Sequence, residues 1–180
     1  YKMKIENVKN TKGQTIQDLK IVTPEIFPDE RGFFMESWNQ KKFDLLLDNK
    51  ILFMQDNHSQ SFKGVLRGLH YQLPPFQQGK LVRCIRGEIF DVAVDIRVNS
   101  ETFKQWVGVL LSENNKKQLW IPEGFAHGFL TLTNSAEVLY KTTNFWSKDC
   151  ENTILWNDPT IAIKWPDIIN NPKISKKDKN

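Results

Sequence analysis

The chain has 180 residues, 39% of them hydrophobic and 26% charged; that is enough to bury a proper core and is the profile of one globular domain spanning 1–180. No apolar run approaches the roughly 18 to 20 residues of a membrane helix, and Tyr1 to Lys20 lacks the apolar centre of a signal peptide, so neither membrane nor export is expected and a cytoplasmic address is. The formal charge of +4 is concentrated, because Lys173, Lys176, Lys177 and Lys179 against Asp178 place three of the four charges in the last eight residues, which describes a solvated tail rather than a nucleic-acid surface.

Along the chain, short segments rich in Val, Ile, Phe and Trp recur between Gly, Pro, Asn and Asp, and helical periodicity is scarce. Strands are expected at Leu19 to Thr23, Phe33 to Ser37, Leu52 to Ser59, Val65 to Gln72, Lys80 to Arg86, Ile89 to Arg97, Trp106 to Leu111, Gln118 to Ile121, Gly128 to Leu132 and Glu137 to Phe145. One amphipathic helix is expected at Gln40 to Leu47, with Phe43, Leu46 and Leu47 on one side. In Ile89 to Arg97 the apolar set Phe90, Val92, Val94 and Ile96 alternates with Ile89, Asp91, Ala93, Asp95 and Arg97, so the first face should pack and the second meet water or ligand. This is the texture of an all-β jelly roll or similar two-sheet barrel with short peripheral helices. Its core runs from about 19 to 166, Trp156 to Trp165 closes it, and 167–180 follows as a loose tail. Cys84 and Cys150 make no disulfide framework and suit a reducing compartment.

The densest chemistry lies in Arg67-Gly68-Leu69-His70-Tyr71-Gln72 and Gly79-Lys80-Leu81-Val82-Arg83, read together as one hairpin. Arg67 and Lys80 are hard to bury without an anionic partner. They describe either a pocket for anionic groups such as phosphates, or a structural network with Asp91 or Asp95. Gly68 marks a bulge that would turn Arg67 and His70 to one side despite their odd spacing. His70 itself reads as a satisfied core histidine or as a neutral-pH base. Of the other histidines, His58 lies in Gln55-Asp56-Asn57-His58-Ser59, and His127 follows the turn Pro122-Glu123-Gly124 as an anchor or a ligand contact. No close His-x-His pair with a carboxylate is present, so no metal site is expected. Without a glycine-rich strand-to-helix loop, any nucleotide must be held by side chains.

Asp29-Glu30-Arg31-Gly32-Phe33-Phe34-Met35-Glu36, the Gln55 to Ser59 and Arg67 to Gln72 segments, Gly79 to Arg83, Leu119-Trp120-Ile121-Pro122-Glu123-Gly124-Phe125-Ala126-His127-Gly128-Phe129 and Tyr140-Lys141 together resemble the dTDP-4-dehydrorhamnose 3,5-epimerase family, in order and with matching spacings from about Ile21 to Trp165. The resemblance implies a cupin-type jelly roll working without metal or dissociable cofactor. It also implies a homodimer that exchanges N-terminal strands, and a dTDP-4-keto-6-deoxy sugar as substrate in dTDP-L-rhamnose biosynthesis. It implies His70 as base, Tyr140 as opposing acid, Lys80 beside the C4 oxygen and Asp178 as the carboxylate behind His70. Substrate contacts by the same resemblance are Arg31, Glu36, Gln55, Asp56, Asn57, Arg67, His127, Trp146, Glu151 and Lys177, with the arginines on the diphosphate and Trp146 stacked on the thymine. Phe145 and Trp146 stand where the family commonly has tyrosine. Two other readings are a relative that epimerises only C3 or C5, and a jelly-roll module that binds the sugar nucleotide without turnover.

Overall fold

The computed structural model describes residues 2–168 and 170–180. Thirteen strands follow in chain order: β1 (Met3–Lys9), β2 (Thr15–Pro24), β3 (Ile26–Asp29), β4 (Gly32–Met35), β5 (Gln55–Phe62), β6 (Leu66–Gln72), β7 (Lys80–Arg86), β8 (Glu88–Asp95), β9 (Trp106–Ser112), β10 (Gln118–Ile121), β11 (Phe125–Thr131), β12 (Ser135–Thr142) and β13 (Glu151–Thr153). One helix, α1 (Gln40–Leu47), interrupts them, and a 3₁₀ turn forms at Lys177–Lys179. Six strands in the order β1-β2-β10-β7-β12-β5 form one sheet and five in the order β13-β6-β11-β8-β9 form the other, with β3 and β4 as a separate hairpin. This is the cupin-type jelly roll.

The core lies between the sheets. Leu19, Val82, Leu119 and Val138 of the first meet Ile89, Ala93, Leu111 and Phe129 of the second, as expected when inward positions recur every second residue on facing sheets. The strand expected at Ile89 to Arg97 needs correction. Its apolar set does pack, but outward, Val92 and Val94 under Trp106, Ile161, Ile163 and Trp165, while the face expected to meet water or ligand lines the interior, with Asp91 and Asp95 fully buried and Asp91 bonded to the cavity residue His127. Asp95 is satisfied locally by Arg97, Ser100 and Thr102. The segment ending at Trp165, whose indole donates to the Trp156 carbonyl at 2.8 Å, covers the outer face of that sheet, so both faces of β8 are enclosed.

Helix α1 has the expected bounds. Asn39 caps it by accepting from the Lys42 amide at 3.0 Å, and Phe43 is fully buried against Trp38, Phe53 and Trp120. Leu46 is a correction, being exposed where Leu47 packs.

Three further readings change. Strands β1, β3 and β13 were not expected; β1 is half charged, β3 contains Pro28, and β13 is the polar triplet Glu151-Asn152-Thr153. The expected hairpin of β6 and β7 does not form, because β6 lies in the five-stranded sheet and β7 in the six-stranded one. The link between them carries Pro74-Pro75, which lacks the donors a continued ladder would need. The tail is not loose: Lys173 bridges to Val65, and Asp178 is 3% exposed.

Gly68 does mark a bulge. His127 pairs with His70 and Phe129 with Arg67, so two residues of β6 oppose the single Gly128 of β11. Gly68 has φ +111°, and a Cβ placed there would lie 2.6 Å from Gly128 Cα. Gly68→Ala is therefore expected to cost about 2–4 kcal/mol, seen as a lower urea midpoint at unchanged slope; an unchanged midpoint would refute the close approach.

Candidate active site

A cavity of about 430 Å³ opens between the sheets, lined by Gln55, Asn57, Ser59, Arg67, His70, Tyr71, Gln72, Gln78, Lys80, His127, Gly128, Phe129, Tyr140, Trp146 and Glu151. Its walls follow from strand periodicity. On β5, Gln55, Asn57 and Ser59 point inward while Asp56 and His58 point outward. On β6 the bulge lets Arg67 and His70 share the inward side.

His70 is the centre of the five-stranded wall. Its Nε2 lies 2.6 Å from Asp178 Oδ1, and the other carboxylate oxygen accepts the Gly68 amide at 3.1 Å. Because a carboxylate only accepts, Nε2 carries the proton and Nδ1 keeps its lone pair. Burial works against charge on Asp178, but the bonds from His70 and Gly68 and the nearby Lys177 charge outweigh it, holding its carboxyl below the ordinary range.

Beside it, His127 is buried and its Nε2 donates to Asp91 Oδ1 at 2.6 Å. Burial pushes this imidazole below its usual pKa despite Asp91, and the charge of Lys80 pushes the same way. The second oxygen of Asp91 has no hydrogen-bond partner among the described residues.

Lys80 and Tyr140 come from the opposite wall. Lys80 pairs in register with Thr142 and Tyr140 with Val82, which sets the two side chains diagonally on one face, the ammonium 5.8 Å from the phenol ring centroid. Lys80 is buried, and among the described residues it forms no ion pair within 4 Å. Burial lowers its pKa to about 8 against the pull of Asp91 and Glu151. Burial raises the Tyr140 phenol, with a smaller opposing effect from its bond with Asn57. Arg67 donates to Ser61 Oγ at 2.8 Å and to the Gln60 carbonyl at 3.1 Å, so it pairs with neither Asp91 nor Asp95.

At the mouth, Trp146 is half exposed, and its indole N–H donates to Glu151 Oε2 at 2.9 Å. The same oxygen accepts from Lys177 Nζ at 2.5 Å. Phe145 is exposed and does not line the cavity.

Four expected contacts do not line the cavity: Lys177 reaches only Glu151 at its mouth, and the other three lie elsewhere. Arg31 sits on the exposed tip of the β3–β4 hairpin, its guanidinium bound to Asp29. Glu36 pairs with Lys42 at 2.7 Å, and Asp56 is paired with Lys141 on the outer face of its sheet at 3.0 Å. Conversely, Tyr71, Gln72, Gln78, Ser59 and Phe129 line the cavity without having been singled out, and Asp91 was read only as an ion-pair candidate. Gln72 ends the dense Arg67 segment, and Asp91 shares an inward face with Ile89 and Ala93; both signals stand in the sequence. Among the described residues, no three of His, Cys, Asp and Glu come together with metal-holding geometry.

Bases and acids facing one another across a polar cavity, in walls of a jelly roll, are the equipment of an enzyme that moves protons. A model of the dTDP-4-dehydrorhamnose 3,5-epimerase family matches residues 13–180. The Shigella flexneri dTDP-4-dehydrorhamnose 3,5-epimerase is 62% identical over 165 residues, covering 92% of this chain and 90% of that protein. The crystal structure of a Legionella pneumophila dTDP-6-deoxy-D-glucose-3,5-epimerase in complex with dTDP-4-keto-L-rhamnose matches with a TM-score of 0.90 at 50% identity, over 99% of this chain and 90% of that one. That of a Bacillus anthracis dTDP-4-dehydrorhamnose 3,5-epimerase with TDP and PPi bound gives 0.88 at 42%, over 98% and 97%. The chain belongs to the dTDP-4-dehydrorhamnose 3,5-epimerase family.

Lys80 is expected to titrate near pH 8, its ammonium present below and lost as pH rises through that value. An NMR titration of its side chain checks this, and Asp91→Asn should lower the midpoint; a midpoint near the ordinary 10.5 would contradict the burial argument.

Proposed function

We propose that the chain epimerises dTDP-4-keto-6-deoxy-D-glucose at C3 and C5 to dTDP-4-keto-L-rhamnose, acting in the cytoplasm as a single-domain subunit. The observation that carries the reading is the carboxylate-backed imidazole of His70 on one wall and the buried phenol of Tyr140 on the other. Hydrogens at C3 and C5 flank the C4 ketone and are acidic, and inversion requires a proton to leave one face and another to arrive at the opposite face.

In this mechanism Nδ1 of His70 removes the proton, and Asp178 stabilises the imidazolium that forms. The electron pair moves onto the C4 oxygen as an enolate. Lys80, still largely charged at neutral pH because its pKa stays near 8, meets that negative charge in a partly dry cavity, where a preorganised cation is worth several kcal/mol. Tyr140, kept protonated by burial, delivers a proton to the other face. His127, held by Asp91, keeps a lone pair on Nδ1 for a sugar hydroxyl. Arg67 takes a diphosphate oxygen, Gln55 and Asn57 hold the nucleotide sugar, and the Trp146 face stacks on the thymine.

Arg31 and Glu36 fit this scheme through a second copy of the chain. Their hairpin presents Phe33 and Phe34, 57% and 61% exposed, an apolar pair that a partner would cover, and a homodimer with exchanged N-terminal segments would bring Arg31 to the partner's cavity.

Incubation with the 4-keto sugar nucleotide in deuterated water should label both C3 and C5, and His70→Ala should slow labelling by ~10²–10⁴-fold; label at one carbon only would demote the enzyme to a single-carbon epimerase. Light scattering should give the mass of two chains, and a monomer would leave Arg31 without a role.

A further inference from the structure

The resemblance assigns Glu151 and Lys177 to substrate, yet in the structure they hold each other. One oxygen of Glu151 accepts both the Lys177 ammonium and the Trp146 indole. Glu151 sits on β13, opposite Gln72 of β6, so it is anchored beside the strand that carries His70. Lys177 and Asp178 are adjacent in the 3₁₀ turn and grip the body in two places, β13 through the lysine and β6 through the aspartate.

Little else fixes that turn. Among the described residues, the hydrogen bonds from 174–180 to the rest of the chain are those of Lys177 and Asp178; the remaining ones stay within the segment. The nearest backbone tie is at Lys173, to Gly64 and Leu66. An exposed ion pair contributes little, but the Glu151 side chain is only 12% exposed. Burial opposes its charge, and Lys177 and Trp146 outweigh that and hold its carboxyl low.

We infer that Lys177 is a positioning residue for the catalytic base: its pair with Glu151 latches the 177–179 turn so that the Asp178 carboxylate stays on His70. Because the same Glu151 oxygen carries the Trp146 indole, the latch and the platform at the cavity mouth share one anchor.

This rests on the epimerase reading of the cavity, and the test separates the two. Deuterium wash-in to the sugar nucleotide is measured for the wild type, Lys177→Met, Lys177→Arg, Asp178→Asn and the Lys177→Met/Asp178→Asn double variant, with thymidine diphosphate affinity read by calorimetry. Lys177→Met should lower kcat about tenfold, equivalent to ~1.4 kcal/mol of transition-state stabilisation, while thymidine diphosphate affinity changes less than threefold. Lys177→Arg should restore most of the rate, and the double variant should be no slower than Asp178→Asn alone, the signature of two residues acting as a unit. The inference is overturned if kcat is unchanged in Lys177→Met, if KM and the diphosphate dissociation constant rise with kcat intact, or if the two effects multiply. A wild-type protein that takes up no deuterium would instead sink the epimerase reading itself.

Discussion

The close approach of two backbones at Gly68 and Gly128 is the constraint from which the cavity is built. A Cβ on Gly128 would lie 2.5 Å from the Arg67 carbonyl oxygen, so neither strand tolerates a side chain where they touch. The extra residue that this contact accommodates converts an odd spacing on β6 into a shared direction. Arg67 and His70 then face the interior together, and His70 stands across from His127. The same distortion frees the Gly68 amide from the ladder, and that amide is what the second oxygen of Asp178 accepts. Without the bulge, one of the two side chains would face the wrong side of the sheet.

The interior so formed is polar at a cost. Each cavity histidine has its own carboxylate, Asp178 behind His70 and Asp91 behind His127, whereas among the described residues Lys80 has no carboxylate within 4 Å. That asymmetry is chemically useful: a buried ammonium with no internal counterion within reach leaves its field available to a charge that appears only during a reaction. Its pKa, lowered to about 8, reflects the burial of that charge, and the second Asp91 oxygen has no hydrogen-bond partner among the described residues. The buried Asp95, by contrast, is held by Arg97, Ser100 and Thr102.

Strand periodicity and residue chemistry were legible in the sequence; sheet membership was not. The bounds of α1, β7 and β10 follow from local alternation and capping, and Gly68 announced its bulge because glycine between a charged and an apolar residue in a strand has few other uses. That β6 and β7 belong to opposite sheets was hidden, since neighbouring strands separated by a short link pair more often than not. The mistaken face of β8 has a related cause. Alternation tells which residues share a side, but in a chain whose outer face is itself covered by Ile161, Ile163 and Trp165 the more apolar side need not be the inner one. Asp178, in a lysine-rich stretch, reads as solvated from local pattern, and only the resemblance pointed it at His70, because its partners lie 108 and 110 positions away. Arg31 carries the right charge for an anionic ligand, and Glu36 and Asp56 are acceptors suited to hydroxyl groups, but the hairpin tip, Lys42 and strand alternation direct them away from their own chain's cavity.

The sparse tethering of the 177–179 turn makes inactivation and loss of fold separable events. The sheets are held by many buried apolar contacts, the turn by a few polar ones, so its local opening requires far less free energy than unfolding of the barrel. Mild heat, chaotrope or high ionic strength should first release the carboxylate from the imidazole, leaving an intact barrel whose base has lost its orienting partner. Catalysis then returns as soon as the turn reseats, without the slow reassembly of long-range strand pairs that recovery from the unfolded chain requires.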